Sequence, residues 1–480
     1  MILTQILATI QVYLSNASLH DSLLAIRNAG YLPIPNGPVM DGLKDIGPAL
    51  AGGLFFTFSI GAGISFFTLA LAWIWNRIFY LNKYIFYTYL LLWLVCLLAL
   101  NINGFNLFLT LTILLVPPPV FIVVSKSMFY SSRLNRRSND IIHILPVLVL
   151  ALLLGWQIDD RMFTDFRDIY LLSNPIGAHI NNFYYKYTLY PAEVFKSLSQ
   201  KMLKTGAIKS DENDSGIVLE SMLLNYDYIP LEGDINADLG IVAIQDDLKL
   251  VNRNKTVVQI STKAFLAEPD KVIRQFEKQS DTNSLLRQLT FISLLFGLPL
   301  AVYVIVHGMT SILAGFFFNS KGASIIASMF CLVICILMLF AFQFSRDRNV
   351  SVSNLPDALN SERWQARVSA LKIIDEKGLE ISQFKSYPAM LKSTHIAERY
   401  WLVKTLGNSR NPATHTDLLH FLNDPHPNVV TMALHALGKR GNRDMTAQIM
   451  QIITTTDNWY IQWYAYKALR SIGWRQTKSN

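Results

Sequence analysis

The chain has 480 residues, of which 51% are hydrophobic and only 16% charged, with a mean hydropathy of +0.30. Soluble domains carry about 25% charge, so a wholly cytosolic enzyme is excluded at the outset. The net charge of +8 is spread over loops and the tail rather than gathered into a nucleic-acid footprint, and the three cysteines, Cys96, Cys331 and Cys335, lie in long apolar runs where neither a disulfide framework nor a cysteine-rich metal site fits.

The N-terminal segment, residues 1–46, lacks an early basic cluster, and its apolar stretch ends by Leu14. Residues 3–27 read as an amphipathic helix lying at an interface, not as a cleaved targeting segment. A helix needs about 20 apolar residues to cross roughly 30 Å of hydrocarbon. Six windows come close to or exceed that length without one charged side chain: 49–75, 84–100, 105–124, 141–158, 288–306 and 323–344. They divide into four membrane helices within 47–158 and two within 286–346. Trp73, Trp75, Tyr80, Tyr84, Tyr87, Tyr89 and Trp93 crowd the ends of the first two windows, where amphipathic rings favour a bilayer interface. Pro117, Pro118 and Pro119 interrupt the third window and predict a kinked crossing. Gly52, Gly53, Gly61 and Gly63 in the first read as a device for close helix packing.

Lys and Arg in short loops favour the cytoplasm. Arg77 and Lys83 mark one loop, Lys126, Arg133, Arg136 and Arg137 another, while 101–104 carries no charge. The segment 159–285 then falls outside. If 288–306 and 323–344 both cross, the C-terminal region emerges on that same side, with 309–322 apolar enough to lie at the interface between them.

Residues 159–285 carry 14 basic and 19 acidic side chains. The segment opens helical, with Asn174-Pro175 as a helix start, and a tyrosine cluster at Tyr184, Tyr185, Tyr187 and Tyr190 reads as packing against a domain core or bilayer surface. Strands are expected at GIVLES (216–221), YDYIP (226–230), LGIVAI (239–244), LKLV (248–251) and TVVQI (256–260). A last helix, KAFLAEPDKVIRQFEKQSD (263–281), completes a small α+β domain. The run Asp234 to Asp238 lacks the full ligand spacing of a calcium loop and reads as a solvated turn.

Periodicity returns in 354–480. Leu371, Leu406, Leu437 and Leu469 each close a helical stretch at spacings of 35, 31 and 32, and Val429, Ala433, Ala436 and Leu437 recur as Ile461, Ala465, Ala468 and Leu469. Stacked helical hairpins give such a period. LNDPHPNVVTMALHALGKRG (422–441) resembles a short HEAT-type repeat, with its Asp-Pro turn, valine pair, alanines at the tight contact and Leu-Gly close. The resemblance implies an α-solenoid of paired helices. The family often places arginine where this repeat has Val430, so no arginine ladder comes with the resemblance. Trp459, Trp463, Tyr466 and Arg470 fall off the core stripe of the last repeat helix and form a candidate partner-binding set. The five histidines His395, His415, His420, His426 and His435 do not share one helix face.

No nucleophile elbow, phosphate loop, zincin motif or paired-cysteine spacing is present. The apolar windows contain no Asp, Glu, Lys or Arg, which disfavours a channel or ion-coupled transporter; Cys331 and Cys335 read as helix packing. The expected fold is therefore a mainly α integral membrane protein: about six membrane helices, an inserted small α+β domain and a C-terminal HEAT-like solenoid. The expected function is a non-enzymatic scaffold or adaptor of a bacterial inner membrane. It uses no metal or cofactor, does not bind nucleic acid, and recruits membrane or periplasmic proteins through the solenoid, with both soluble regions periplasmic. The alternative is a membrane enzyme or export component acting on envelope or lipid-linked substrates, which requires carboxylates or histidines of the insert, such as Asp165, Asp168 and His179, to converge.

Overall fold

The computed structural model describes residues 1–102, 105–131, 161–209, 213–232, 237–346 and 350–478. The chain divides into two compact units. One comprises Met1–Leu14, Ile46–Phe163 and Thr282–Phe344; the other comprises Ser15–Asp45, Thr164–Asp281 and Ser345–Asn480.

In the first unit the helices are α1 (Ile2–Asn28, whose first half belongs here), α2 (Ile46–Asn76), α3 (Lys83–Leu100), α4 (Leu107–Leu115) and α5 (Pro117–Ser131), followed by Ser284–Gly315 and Ser320–Ser345. Among the described residues six helices are long and apolar enough to cross a membrane, the segment Leu107–Lys126 counting as one. Five of the expected windows fall in these helices; the sixth, 141–158, lies outside the described residues. The remaining candidate is α1 itself. Residues 3–27 were expected along an interface, yet the first turns of α1 pack on α2: Gln5 donates to the Leu50 carbonyl at 2.9 Å and accepts from Thr57 at 2.7 Å. Pro117–Pro119 occupy the opening turn of α5, where a missing N–H leaves no helical bond unmade, so the third window is two helices separated by Val116 alone. Within 309–322 the helix continues through Gly315 and the next begins at Ser320.

The glycine reading of α2 has a direct counterpart. A Cβ on Gly297 would lie 2.7 Å from the backbone nitrogen of Gly63, closer than real Cβ atoms approach. Small residues on both helices therefore set how near their backbones come.

In the second unit, α6 (Pro175–Tyr187) starts where Asn174 caps it, its side chain accepting from Gly177 N at 2.8 Å. The sheet runs β2-β1-β3-β4-β5, with β1 at Lys204–Lys209, β2 at Tyr228–Pro230, β3 at Leu239–Ile244, β4 at Asp247–Asn252 and β5 at Lys255–Ser261. Strand β1 pairs parallel with β2 and β3, while β3, β4 and β5 are antiparallel. Arg253 and Asn254 both have positive φ in the turn from β4 to β5, the geometry of a two-residue hairpin. GIVLES is not a strand: it lies in α7 (Asn213–Asn225), where Leu219 and Leu223, one helical turn apart, are buried against the sheet. Strand β1 was missed because KTGAIK has almost no bulky β-branched content. The expected last helix is broken at Glu268, and α8 (Pro269–Gln279) packs Val272, Ile273 and Phe276 into the sheet core.

The C-terminal part of this unit is a stack of helix pairs. Its longer second helices are α9 (Trp364–Lys377), α10 (Ile396–Leu406), α11 (Pro427–Arg440) and α12 (Trp459–Ser471), each packed on the next. Gly438 makes one such approach possible, since a Cβ there would sit 2.9 Å from Ala468 Cα. That is the physical content of the Leu-Gly close in the repeat.

Gly297→Leu is expected to destabilise the first unit by about 1–3 kcal/mol through overpacking. It should lower the thermal midpoint of the full chain in detergent, whereas Gly308→Ala, whose Cβ meets nothing within 4 Å, should leave the midpoint in place.

Candidate functional site

The register of the repeats is fixed by one recurring bond. Ser361, Ser393, Asp424 and Thr456 each accept a hydrogen bond from the backbone nitrogen two residues on, those of Arg363, His395, His426 and Asn458. Six residues after each acceptor stand Arg367, Arg399, Val430 and Gln462. Arg367 and Arg399 reach back to the carbonyls of Ser361 and Ser393 and grip the next repeat: Arg367 holds Glu398 through two bonds of 2.8 Å, and Arg399 holds Asp424 at 2.7 and 3.2 Å. A short arginine ladder therefore exists, contrary to the expectation drawn from Val430. It spans the first two repeats and stops where valine removes the donor. Gln462 keeps only the back-bond, to the Thr456 carbonyl at 2.9 Å, and pairs with the backbone of Asn36.

Eleven residues after the same acceptors stand Lys372, Lys404, His435 and Lys467. Lys372 is the centre of a buried ionic cluster. Its ammonium lies 2.8 Å from Asp165 Oδ1 and 2.8 Å from Asp168 Oδ2. Arg346 Nε donates to Asp165 at 2.7 Å, Arg167 Nη2 to Asp168 at 2.7 Å, and Trp401 Nε1 to Asp168 at 2.8 Å. The Arg167 guanidinium in turn lies 4.1 Å over the Tyr400 ring. Burying such charges is tolerable only because each is paired and hydrogen-bonded. The cluster joins the start of the insert to the solenoid. Two of the three residues required by an active site in the insert do converge here, but their oxygens are engaged by cations and an indole; His179 is exposed and outside the cluster. Among the described residues no three His, Cys, Asp or Glu side chains gather as a metal site. Asp234 lies outside them, and Asp238 is held by Lys201 at 2.9 Å and Thr205 N at 3.1 Å.

The candidate partner-binding residues divide. Trp459 Nε1 donates to the Tyr185 carbonyl at 2.6 Å, and Tyr185 stacks on Tyr460 with ring centroids 4.5 Å apart. Tyr466 is 1% exposed and donates to Asp227 at 2.6 Å. Arg470 pairs with the same carboxylate at 2.8 Å and bonds the Asn225 carbonyl at 2.8 Å. Burial raises the Asp227 pKa even though Tyr466 and Arg470 oppose that shift. Three of the four residues thus fasten the last repeat to the insert. Trp463 is half-buried, stacks on Trp459 and carries Lys467 4.1 Å above its ring. The histidines are dispersed. His426 caps α11 and is buried, which lowers its pKa to about 4 despite Asp424; His435 packs edge-on against Tyr464.

Residues 387–470 match the family model for HEAT repeats. The C-terminal region is therefore a HEAT-repeat region, and the match runs from the second helix pair to the end of the candidate set. No curated protein and no solved structure matches the chain.

Lys372→Met removes the ammonium that both carboxylates share, while Arg346 and Arg167 keep one carboxylate each, and is expected to cost about 1–3 kcal/mol, seen as a lowered unfolding midpoint. Asp168→Asn should cost less in that background than on its own, because the bond it weakens to Lys372 is already gone; a strictly additive double variant would contradict the cluster. For His426 the folded pKa is depressed below the ordinary 6.5. The neutral form is thus the folded one, and its contribution is complete above pH 6.5. It is lost as pH falls from 6.5 to about 4. The linked loss is on the order of 3 kcal/mol, and His426→Asn should flatten that part of the stability–pH curve.

Proposed function

We propose that the chain is an integral membrane scaffold that presents its HEAT repeats, braced by the insert, to protein partners. Solenoids expose a long surface because each repeat contacts only its neighbours. The reading is carried by one observation: insert and solenoid belong to a single compact unit, tied by the Asp165–Arg346–Lys372–Asp168 cluster and by Tyr466 and Arg470 on Asp227. A bilayer cannot run between residues within bonding distance. On this reading the chain between insert and solenoid crosses an even number of times, in keeping with the two helices Ser284–Gly315 and Ser320–Ser345, each long and apolar enough for one crossing.

The basic loops around Arg77 and Lys83 and around Lys126 to Arg137 support placing this unit on the side away from the cytoplasm, which for a bacterial inner membrane is the periplasm. The occupied carboxylates of the cluster favour a bracing role for the insert over a catalytic one.

Alkaline phosphatase fused after Asn480, and separately inserted at the Arg253–Asn254 turn, should be active at both sites. Activity at the turn with none at the terminus would overturn the shared face. The scaffold reading further expects a protein partner to co-purify with the full chain in mild detergent at a fixed ratio, and a chain isolated alone under every condition would count against it.

A further inference from the structure

The four positions Lys372, Lys404, His435 and Lys467 form a strip with one rung per repeat. On the first rung Lys372 holds Asp165 and Asp168 and lies 5.0 Å over the Trp401 ring. On the second, Lys404 lies 4.4 Å over the same ring and pairs with Asp375 at 3.0 Å. Each of these rungs is a cation beside an aromatic face, filled by a carboxylate. The fourth rung repeats the cation and the aromatic but not the acid; on the third, histidine takes the place of lysine, and burial together with the ammonium groups of Lys439, Lys404 and Lys467 lowers its pKa, so the ring is neutral. His435 sits edge-on to Tyr464, and Lys467 lies 4.1 Å over Trp463 and 5.9 Å from the Tyr464 ring centroid. Lys439, one turn beyond His435, adds a second ammonium whose bond goes to the neutral Asn408 side chain. His435, Lys439 and Lys467 are exposed. Among the described residues neither Lys439 nor Lys467 forms an ion pair with any carboxylate; the acid that acts on His435 is Asp375, already bound to Lys404.

We propose that the last two rungs, built from Lys439, Lys467, His435, Trp463 and Tyr464, bind the acidic side chains of an Asp/Glu-bearing segment of a partner protein. The insert shows what such an occupant looks like, since its own Asp165 and Asp168 fill the first rung in the same register. Lysine supplies the point charge, and the indole and phenol faces give the carbon stems of a glutamate an apolar wall. The partner is thus an acidic polypeptide, matched by charge to a strip with two uncompensated ammonium groups. This inference rests on the scaffold reading and names the partner's chemistry.

The test uses the full chain in phosphatidylcholine nanodiscs and a fluorescein-labelled decapeptide of alternating Asp and Glu, read by anisotropy at low salt. Binding should exceed that of a Gln/Asn decapeptide, and Lys439→Glu with Lys467→Glu should weaken it at least tenfold. Lys263→Glu, an exposed lysine of the insert, should leave it unchanged. The milder Lys439→Gln with Lys467→Gln, expected to lose severalfold, serves if the reversal impairs folding. Equal binding by wild type and both double variants, or an equal loss in Lys263→Glu, overturns the proposal. So does capture of phosphatidylglycerol vesicles in place of the peptide, which would make the strip a lipid-headgroup site. A partner that co-purifies undiminished with the double variants sinks the strip alone; the absence of any co-purifying protein sinks the scaffold reading.

Discussion

Two aspartates at the start of the insert cannot be buried without cations, and the cations lie elsewhere in the chain. Asp165 and Asp168 are satisfied by Lys372 from the first long repeat helix, by Arg346 from just beyond the last long apolar helix, and by Arg167 beside them. Removing water from such a group is unfavourable by several kcal/mol, and only complete pairing offsets it. The cluster therefore works as a registration device more than as a source of net stability. It accepts one alignment of insert on solenoid and penalises every slip, because a slip leaves a charge buried alone. Other contacts between insert and solenoid, among them Asn181 on Asn428 at 2.9 Å and Tyr466 on Asp227, follow once that alignment is set.

The repeats themselves were legible from spacing. The 31- and 32-residue recurrences of leucine and alanine fixed the helix pairs, because stacking identical hairpins repeats the same buried face. The ladder was harder to see. The 31-residue spacing from Leu406 to Leu437 also links Arg399 to Val430, but Arg367 stands four residues before Leu371 rather than seven, and the shared turn bond at Ser361 and Ser393 is what brings it into line. The repeat that resembles the family most, 422–441, has valine at this position and the last repeat has glutamine, so neither carries a trace of the ladder.

The misplaced strand has a different origin. Ile217 and Val218 favour strands locally, but Leu219 and Leu223 one turn apart cover the sheet, and burial of that pair outweighs β-propensity worth at most about 1 kcal/mol. Strand β1 was invisible for the opposite reason. Its Lys204 is buried, with its ammonium 2.8 Å from Glu277 and 4.3 Å over Tyr228, so the charge that made the segment look exposed is internally paired. In each case a long-range partner decided the outcome, and nothing in the segment itself names that partner.

The aromatic set of the last repeat shows how far composition can carry a functional reading. Trp459, Tyr466 and Arg470, read from the sequence as a candidate partner-binding set, contact the insert of the same chain. Composition alone does not distinguish a contact within the chain from one with a partner, since both select rigid amphipathic side chains. What distinguishes them is charge balance. Arg470 has found Asp227, whereas Lys467 one turn earlier on the same helix has only rings beneath it. The solenoid thus holds the insert at both ends, through Lys372 on its first long helix and through Tyr466 and Arg470 on its last, while among the described residues Lys439 and Lys467 between those anchors meet no carboxylate.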